Sequence, residues 1–335
     1  DGTDLGMSYS RWDVVYIDDI ALYPSKCVVS ESTLQADITA DCVVNYDDLD
    51  ALAFNWLLSG YTVAAVPVSD EGLVVRYNFE NNTTDSVAGN NGVLQNLGAA
   101  ATYGTGYNGG KCIHFNANSG SSGSNMIVPS AVFADVNEEV TFSFWVKNDT
   151  AAPEWYMNVF GGRDNAGSRD HLFMLYSPAY KDNMVTVFHA GSSGNSSWSQ
   201  WDNVTFTQPS TFNYTAWNHF ALVKNCFNGE IWFYSNGQLI AYKRGAIHKM
   251  YGCDEFKLGS LYGDNAFYQG SIDDFRIYNR ALSHAEVLTL AGQTSATVSL
   301  SQLQATDSDL NSDDAVDFKD YSVLANEWLV EDLWP

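Results

Sequence analysis

Two stretches of the chain place oxygen-bearing side chains at a spacing suited to a hard cation. Residues 309–320, "DLNSDDAVDFKD", set Asp309, Asn311, Asp313, Asp317 and Asp320 at positions 1, 3, 5, 9 and 12 of a twelve-residue loop. Residues 37–48, "DITADCVVNYDD", set Asp37, Thr39, Asp41, Asn45 and Asp48 at the same positions. Position 7 would offer a backbone carbonyl, from Ala315 in one copy and Val43 in the other. Ca2+ takes about six to eight oxygen ligands, and a tight loop of alternating short oxygen side chains supplies them. Asx-rich helix caps without metal are the plainer alternative. Five oxygen positions repeated twice favour the cation.

Helices must position these loops. Tyr46, Leu49, Leu52, Ala53, Trp56 and Leu57 correspond to Phe318, Tyr321, Leu324, Ala325, Trp328 and Leu329. That spacing gives each helix one apolar stripe. A lone helix of this length is marginal in water, so the two stripes are expected to face each other. The loop–helix units resemble dockerin repeats, more closely the divergent ones at the ends of secreted bacterial multidomain proteins. In that family two such units pack around two calcium ions. This chain departs from the pattern at position 6, usually Gly, which is Cys42 in one loop and Asp314 in the other. It also sets the two halves at opposite ends of the chain instead of side by side.

Between them, residues 70–292 read as strand after strand. "VTFSFWVK" (140–147) alternates Val140, Phe142, Phe144 and Val146 against Thr141, Ser143 and Lys147. "HLFMLYS", "MVTVFHA", "WNHFALVK", "EIWFYSNGQLI" and "SIDDFRIYN" continue it, and Asn236-Gly237 is a hairpin signal. The expected fold is mainly β, a two-sheet antiparallel jelly-roll sandwich, with small helical loop–helix segments near both ends. "GLVVRYNFENNTTDSVAGNNGVL" (72–94), "GGKCIHFNA" (109–117), "VTFSFWVK", "WNHFALVK" (217–224) and "GSIDDFRIYNRALSHAEV" (270–287) resemble the laminin-G-like branch of the concanavalin A-like lectin/glucanase superfamily. That resemblance implies a further structural calcium, between Glu80 near the first strand and Asp273 on the last. Asp273 shares a strand face with Phe275 and Ile277, is expected to point inward and needs a partner, which could be that ion or backbone N–H groups.

The resemblance does not fix function. Glucanases of this fold carry paired glutamates in an E-x-D-x-x-E strand, and no such pattern occurs here. G-x-S-x-G and H-E-x-x-H are also absent, and His219 lies in a strand between apolar neighbours. The chain therefore reads as non-enzymatic. Trp155, Tyr156, Trp198 and Trp201 stand in polar loops and could stack on a glycan, but rings in such places more often cover the sandwich edge or meet a partner protein.

Forty acidic residues against 16 basic give a formal charge of −24. Nucleic acid and anionic membrane are excluded as partners, since both need basic patches, and cations are the natural counter-ligands. No apolar run is long enough for membrane insertion. The chain opens on Asp1 without a secretion leader, as a processed or excised chain would. Five cysteines, none in a C-x-x-C pair, suggest Cys27–Cys42 and Cys226–Cys253 disulfides, with Cys112 buried in a strand. Disulfides and calcium loops together point to an extracellular, bacterial setting, secreted or on the cell surface.

"YIDDIALY" (16–23) repeats "SIDDFRIY" (271–278), so the chain begins with the closing strand of a second jelly roll. The expected order is an orphan strand (1–27), loop–helix half 1 (28–60), a linker (61–69), the jelly roll (70–292), a linker (293–308) and half 2 (309–335). An unpaired alternating strand is an adhesive edge. The expected function is a non-catalytic, calcium-stabilised structural or adhesive protein. It would associate with itself head to tail, as a polymer or filament, through that strand and the split halves. The halves could instead clasp within one chain, and the strand could belong to a lost upstream domain or lie on this domain's own edge. The alternative is a carbohydrate-binding or adhesion module of a larger secreted protein, with extracellular polysaccharide as partner.

Overall fold

Alternation builds the middle of the chain. In the computed structural model, Phe142 and Phe144 point into the core while Ser143 and Trp145 take the other face of the same strand. The structure describes residues 27–29, 32–150, 155–164, 169–177, 185–193, 201–207, 212–303 and 305–333. The strand expected at 16–23 lies outside them. Two compact units form: Asp1–Leu58 with Asp307–Pro335, and Ser59–Thr306.

The elements begin with α1 (Tyr46–Phe54), β1 (Tyr61–Ala64), β2 (Leu73–Tyr77), β3 (Val93–Leu97), β4 (Thr102–Thr105), β5 (Lys111–Phe115), β6 (Ala117–Ser119) and β7 (Ser122–Val128). There follow β8 (Glu139–Asn148), β9 (Asn158–Asp164), β10 (Arg169–Tyr176), β11 (Val185–Ser192), β12 (Trp201–Thr207), β13 (Asn218–Asn225), β14 (Glu230–Ser235) and β15 (Gln238–Lys243). The chain closes with β16 (Glu255–Leu258), β17 (Gly270–Tyr278), α2 (His284–Leu290), β18 (Ser295–Val298) and α3 (Phe318–Asn326).

Two antiparallel sheets make the sandwich. One runs β15-β14-β13-β8-β17-β5-β4, with β2 also on β17. The other runs β12-β11-β10-β9-β16-β7-β3, with β6 on β7. Asn236 and Gly237 both take positive φ, the geometry that a tight β14–β15 hairpin requires. Aromatic rings fill the space between the sheets. Phe142 lies 4.7 Å from Phe160 and 5.8 Å from Phe256, and Phe144 lies 5.5 Å from Phe275. Each fully buried Phe contributes about 2 kcal/mol over an exposed one.

One irregularity positions a site. β17 pairs with β5 through Gly270–Ile272 and with β2 through Phe275–Tyr278. Where it changes neighbour, its register against β8 shifts between Asp273 and Arg276, and Asp274 takes φ +45°. Such a bulge breaks the two-residue alternation and re-aims side chains. Ile272, Phe275 and Ile277 stay in the core, but Asp273 turns out beside its cross-strand partner Trp145. The inward orientation expected from simple parity is therefore corrected.

Two further expectations change. Residues 61–69 and 293–308, expected as linkers, contain β1 and β18, which pair from Tyr61↔Val298 to Ala64↔Ser295. Cys27 and Cys42 are joined by a disulfide, but Cys226 and Cys253 are free, as is the buried Cys112. Cys226 directly follows β13 of one sheet, whereas Cys253 leads into β16 of the other. Each sulfur instead lies against a carbonyl, of His248 and Glu255 respectively.

Candidate functional site

The first unit is built from both ends of the chain, and its two halves repeat the same backbone hydrogen bonds. Asp37 accepts hydrogen bonds from the Asp41 and Cys42 N–H groups at 2.9 and 2.8 Å, and Asp309 accepts from Asp313 and Asp314 at 3.0 Å each. Asp48 accepts from the N–H groups of Thr39 and Asn45, and Asp320 from those of Asn311 and Asp317. The Thr39 hydroxyl adds a third bond to Asp48 at 3.1 Å. Asn45 and Asp317 cap α1 and α3, with Asp48 and Asp320 completing each capping box. Positions 4 and 6 are left-handed in both loops: Ala40 and Cys42, Ser312 and Asp314.

The halves meet within one chain. Val44 N–H donates to Val330 O and Leu329 N–H to Val44 O; in mirror fashion Val316 N–H donates to Leu58 O and Leu57 N–H to Val316 O. Val43, at position 7 of the first loop, bridges Glu331, and Ala315 holds position 7 of the second, just before Val316. Trp56 meets Phe318 edge-on at 5.1 Å, and Trp328 meets Tyr46 the same way at 5.1 Å.

These loops suit a hard cation on two grounds. Asp37, Asp41 and Asp48 each offer an oxygen within 4.8 Å of the others. Asp48 and Asp320 are 0% exposed, and among the described residues neither has a cationic partner. A buried carboxylate without counter-charge is costly. In the second loop, Asp313 is instead held by Lys319.

The second unit carries a groove of about 350 Å³ where the β17 bulge meets β2 and β8. Glu80 and Asp273, paired from sequence, both line it. The tight turn 106–110 lies against both. Lys111 N–H donates to Glu80 Oε1 and Tyr107 N–H to Asp273 Oδ2, each at 3.0 Å. A Cβ on Gly106 would lie 2.5 Å from Asp273 Oδ2 and 2.9 Å from the Lys111 carbonyl, so that position requires glycine; one on Gly110 would lie 2.4 Å from Glu80 Oε1 and displace that side chain. Burial, with the neighbouring Asp274 and Glu80 carboxylates, pushes the Asp273 carboxyl up to about 6. Burial acts on Asp274 too, but Arg276 and Arg76 outweigh it and hold that carboxyl below its usual range.

Aromatic side chains in this groove were not singled out from sequence. Tyr107, 44% exposed, stacks on Trp145 at an interplanar angle of 11°. The signal was present: Trp145 sits on the Thr141, Ser143 and Lys147 side of "VTFSFWVK", where an apolar ring has no core to enter. The rings that were singled out fare differently. Trp201 is buried and lies 5.2 Å from His189. Trp155 is half-buried, its Nε1 donating to Phe267 O at 2.8 Å. Tyr156 is exposed, with Tyr176 edge-on beside it. Trp198 lies outside the described residues.

Among the described residues, no catalytic arrangement forms around His219. Its Nε2 lies 3.0 Å from Ser143 Oγ, but both residues are buried and Nδ1 has no partner to orient it as a base. Burial pushes the imidazole down to about 3.

The profile of a family described as the concanavalin A-like lectin/glucanases superfamily matches residues 118–288. Among curated proteins none matches. Among solved structures, the binding domain of Botulinum neurotoxin DC in complex with rat synaptotagmin II aligns at 16% identity and TM-score 0.51, covering 66% of this chain and 51% of that one. The same toxin's binding domain in complex with SialylT aligns at 16% identity and TM-score 0.50, covering 67% and 52%. This chain thus spans about half the length of those binding domains. Domain 4 of AbnA, a GH43 extracellular arabinanase from Geobacillus stearothermophilus, in complex with arabinotriose, aligns at 22% identity and TM-score 0.49, covering 65% and 98%. These likenesses are of fold. Among the described residues no helix is long and apolar enough to cross a membrane.

Proposed function

Because the chain belongs to the concanavalin A-like lectin/glucanase superfamily, we propose that it is a non-catalytic, calcium-stabilised extracellular module that binds carbohydrate in the groove beside the β17 bulge. The observation that carries this reading is the exposed Tyr107 ring stacked over the buried Trp145 and rimmed by Arg76, Asn78, Asn108 and Asp274. An open ring face suits the apolar face of a pyranose or furanose, and planar amide, carboxylate and guanidinium groups suit its hydroxyls. Binding sites of this kind combine aromatic lining with a few fixed polar groups.

Calcium belongs to the same proposal. Asp37, Thr39, Asp41, the Val43 carbonyl, Asn45 and Asp48 would hold one ion. Asp309, Asn311, Asp313, the Ala315 carbonyl, Asp317 and Asp320 would hold a second, in the manner of dockerin-type loops. Glu80 and Asp273 would share a third, which would relieve the crowding that raises the Asp273 carboxyl. When bound, the ion supplies positive charge that the first loop lacks and that the second has only from Lys319.

Head-to-tail self-association is the competing reading. It needs each loop–helix half to seek its partner in another molecule. Here each half already uses its backbone edge and its Trp within one chain. The monomeric binding module is therefore favoured.

A glycan microarray in calcium, followed by calorimetry of hits, tests the proposal. Wild-type protein should bind a polysaccharide class, and Tyr107→Ala should weaken that binding about tenfold or more without changing the melting temperature. Absence of glycan binding, together with calcium-dependent assembly in light scattering, would sink it in favour of self-association.

A further inference from the structure

Position 6 of each loop is left-handed, a conformation that a residue with a Cβ adopts at a cost. Asp314 meets this requirement at φ +63° without a disulfide; Cys42 meets it at φ +65° with its sulfur bonded to Cys27. Cys42 is also tied into its loop on both sides of its peptide. Its N–H donates to Asp37 Oδ2 at 2.8 Å, its carbonyl accepts from Asp332 N–H at 2.9 Å, and it is fully buried. The segment closed by the disulfide grips the far end of the chain. The Thr33 N–H and hydroxyl both donate to Asp332 Oδ2, at 2.7 and 3.0 Å, and Ala36 N–H donates to Glu327 Oε2 at 2.8 Å.

We propose that the Cys27–Cys42 disulfide is a redox lock on the first calcium loop. Oxidised, it holds position 6 left-handed and Asp37 in place for the ion. Reduced, the ion-free loop gains conformations that calcium binding must then remove, so affinity falls. The second loop has no such bond and changes little. Reduction consumes two equivalents of a small thiol such as glutathione. Two electrons and two protons pass to Cys27 and Cys42, and the two small thiols leave joined as a disulfide. By linkage, calcium must favour the oxidised form by the same factor by which oxidation favours calcium.

The inference rests on the calcium reading, and the experiment separates the two. Calorimetric calcium titration of the oxidised protein comes first; no binding would end the calcium reading itself. The full chain is then equilibrated in glutathione buffers of graded poise, with calcium or with chelator. Acid quenching, alkylation and mass spectrometry of the peptides bearing Cys27 and Cys42 give the thiol–disulfide equilibrium constant. Calcium is expected to raise that constant about tenfold or more, and a change below about twofold would overturn the lock. Asp48→Asn should abolish the shift, while Asp320→Asn, in the other loop, should keep it. Should Asp48→Asn misfold, titrating reduced against oxidised wild type reads the same quantity. One site should weaken about tenfold and the other less than about threefold; equal weakening of both would also overturn the proposal.

Discussion

The two loop–helix halves share a backbone and differ in chemistry. Carboxylates at positions 1 and 12 accept the same amide bonds in both, and the left-handed residues coincide. Yet the loop richer in aspartate is not the one whose carboxylates gather. In the first, Asp37, Asp41 and Asp48 converge; in the second, Lys319 holds Asp313 aside. Loop shape thus depends on positions 1 and 12 satisfying backbone N–H groups. Affinity for a cation depends additionally on position 5 and on what competes for it. Counting acids along the sequence weighs the first dependence and misses the second.

Removing the position-12 carboxylates would break the likeness most. Asp48→Ala strips three accepted bonds and Asp320→Ala two. Urea unfolding in chelator, followed by tryptophan fluorescence, should show losses of about 3 and about 2 kcal/mol in the first unit, with the sandwich transition unmoved. Truncating the ring pairs tests the symmetry itself. Trp56→Ala and Trp328→Ala should each cost about 2 kcal/mol in the same assay, and a clear inequality would show that the two helices do not pack equivalently. Lys319→Met should sharpen the contrast from the other side, raising calcium affinity at the second loop about threefold by calorimetry. The smallest effect belongs to Asp314→Gly. Relief of its left-handed backbone should stabilise the second loop by about 0.5 kcal/mol, seen as a slight rise in the first unit's melting temperature.

What was legible in the sequence was what is local. The loop repeat shows because cation spacing lies within twelve residues, and the sandwich shows because inward and outward residues alternate along each strand. The Asp273 orientation was missed because one bulged residue inverts parity, and nothing in "SIDDFRIY" marks it. The pairing of β1 with β18 joins two four-residue segments from the far ends of the second unit, too short and too distant to announce each other. The Cys226–Cys253 bond failed for a related reason: which sheet each strand joins is a long-range outcome. Trp201 is buried against His189, in line with a ring that covers the sandwich instead of facing a ligand, because a Trp among polar neighbours can do either.

The β1–β18 pairing also says how the molecule would respond to tension. A pull on the chain's two ends reaches this pair at Tyr61 and Val298, which face each other at the same end of the ladder. Force applied there opens the pairs in succession, like a zipper, at low load, instead of shearing them all together. The loop–helix clasp, bonded across by backbone on both sides, stands ahead of it along the line of force. Calcium would therefore set the load at which the module first yields. Beyond that point the extended flanks would act as a tether, leaving the sandwich and its groove intact.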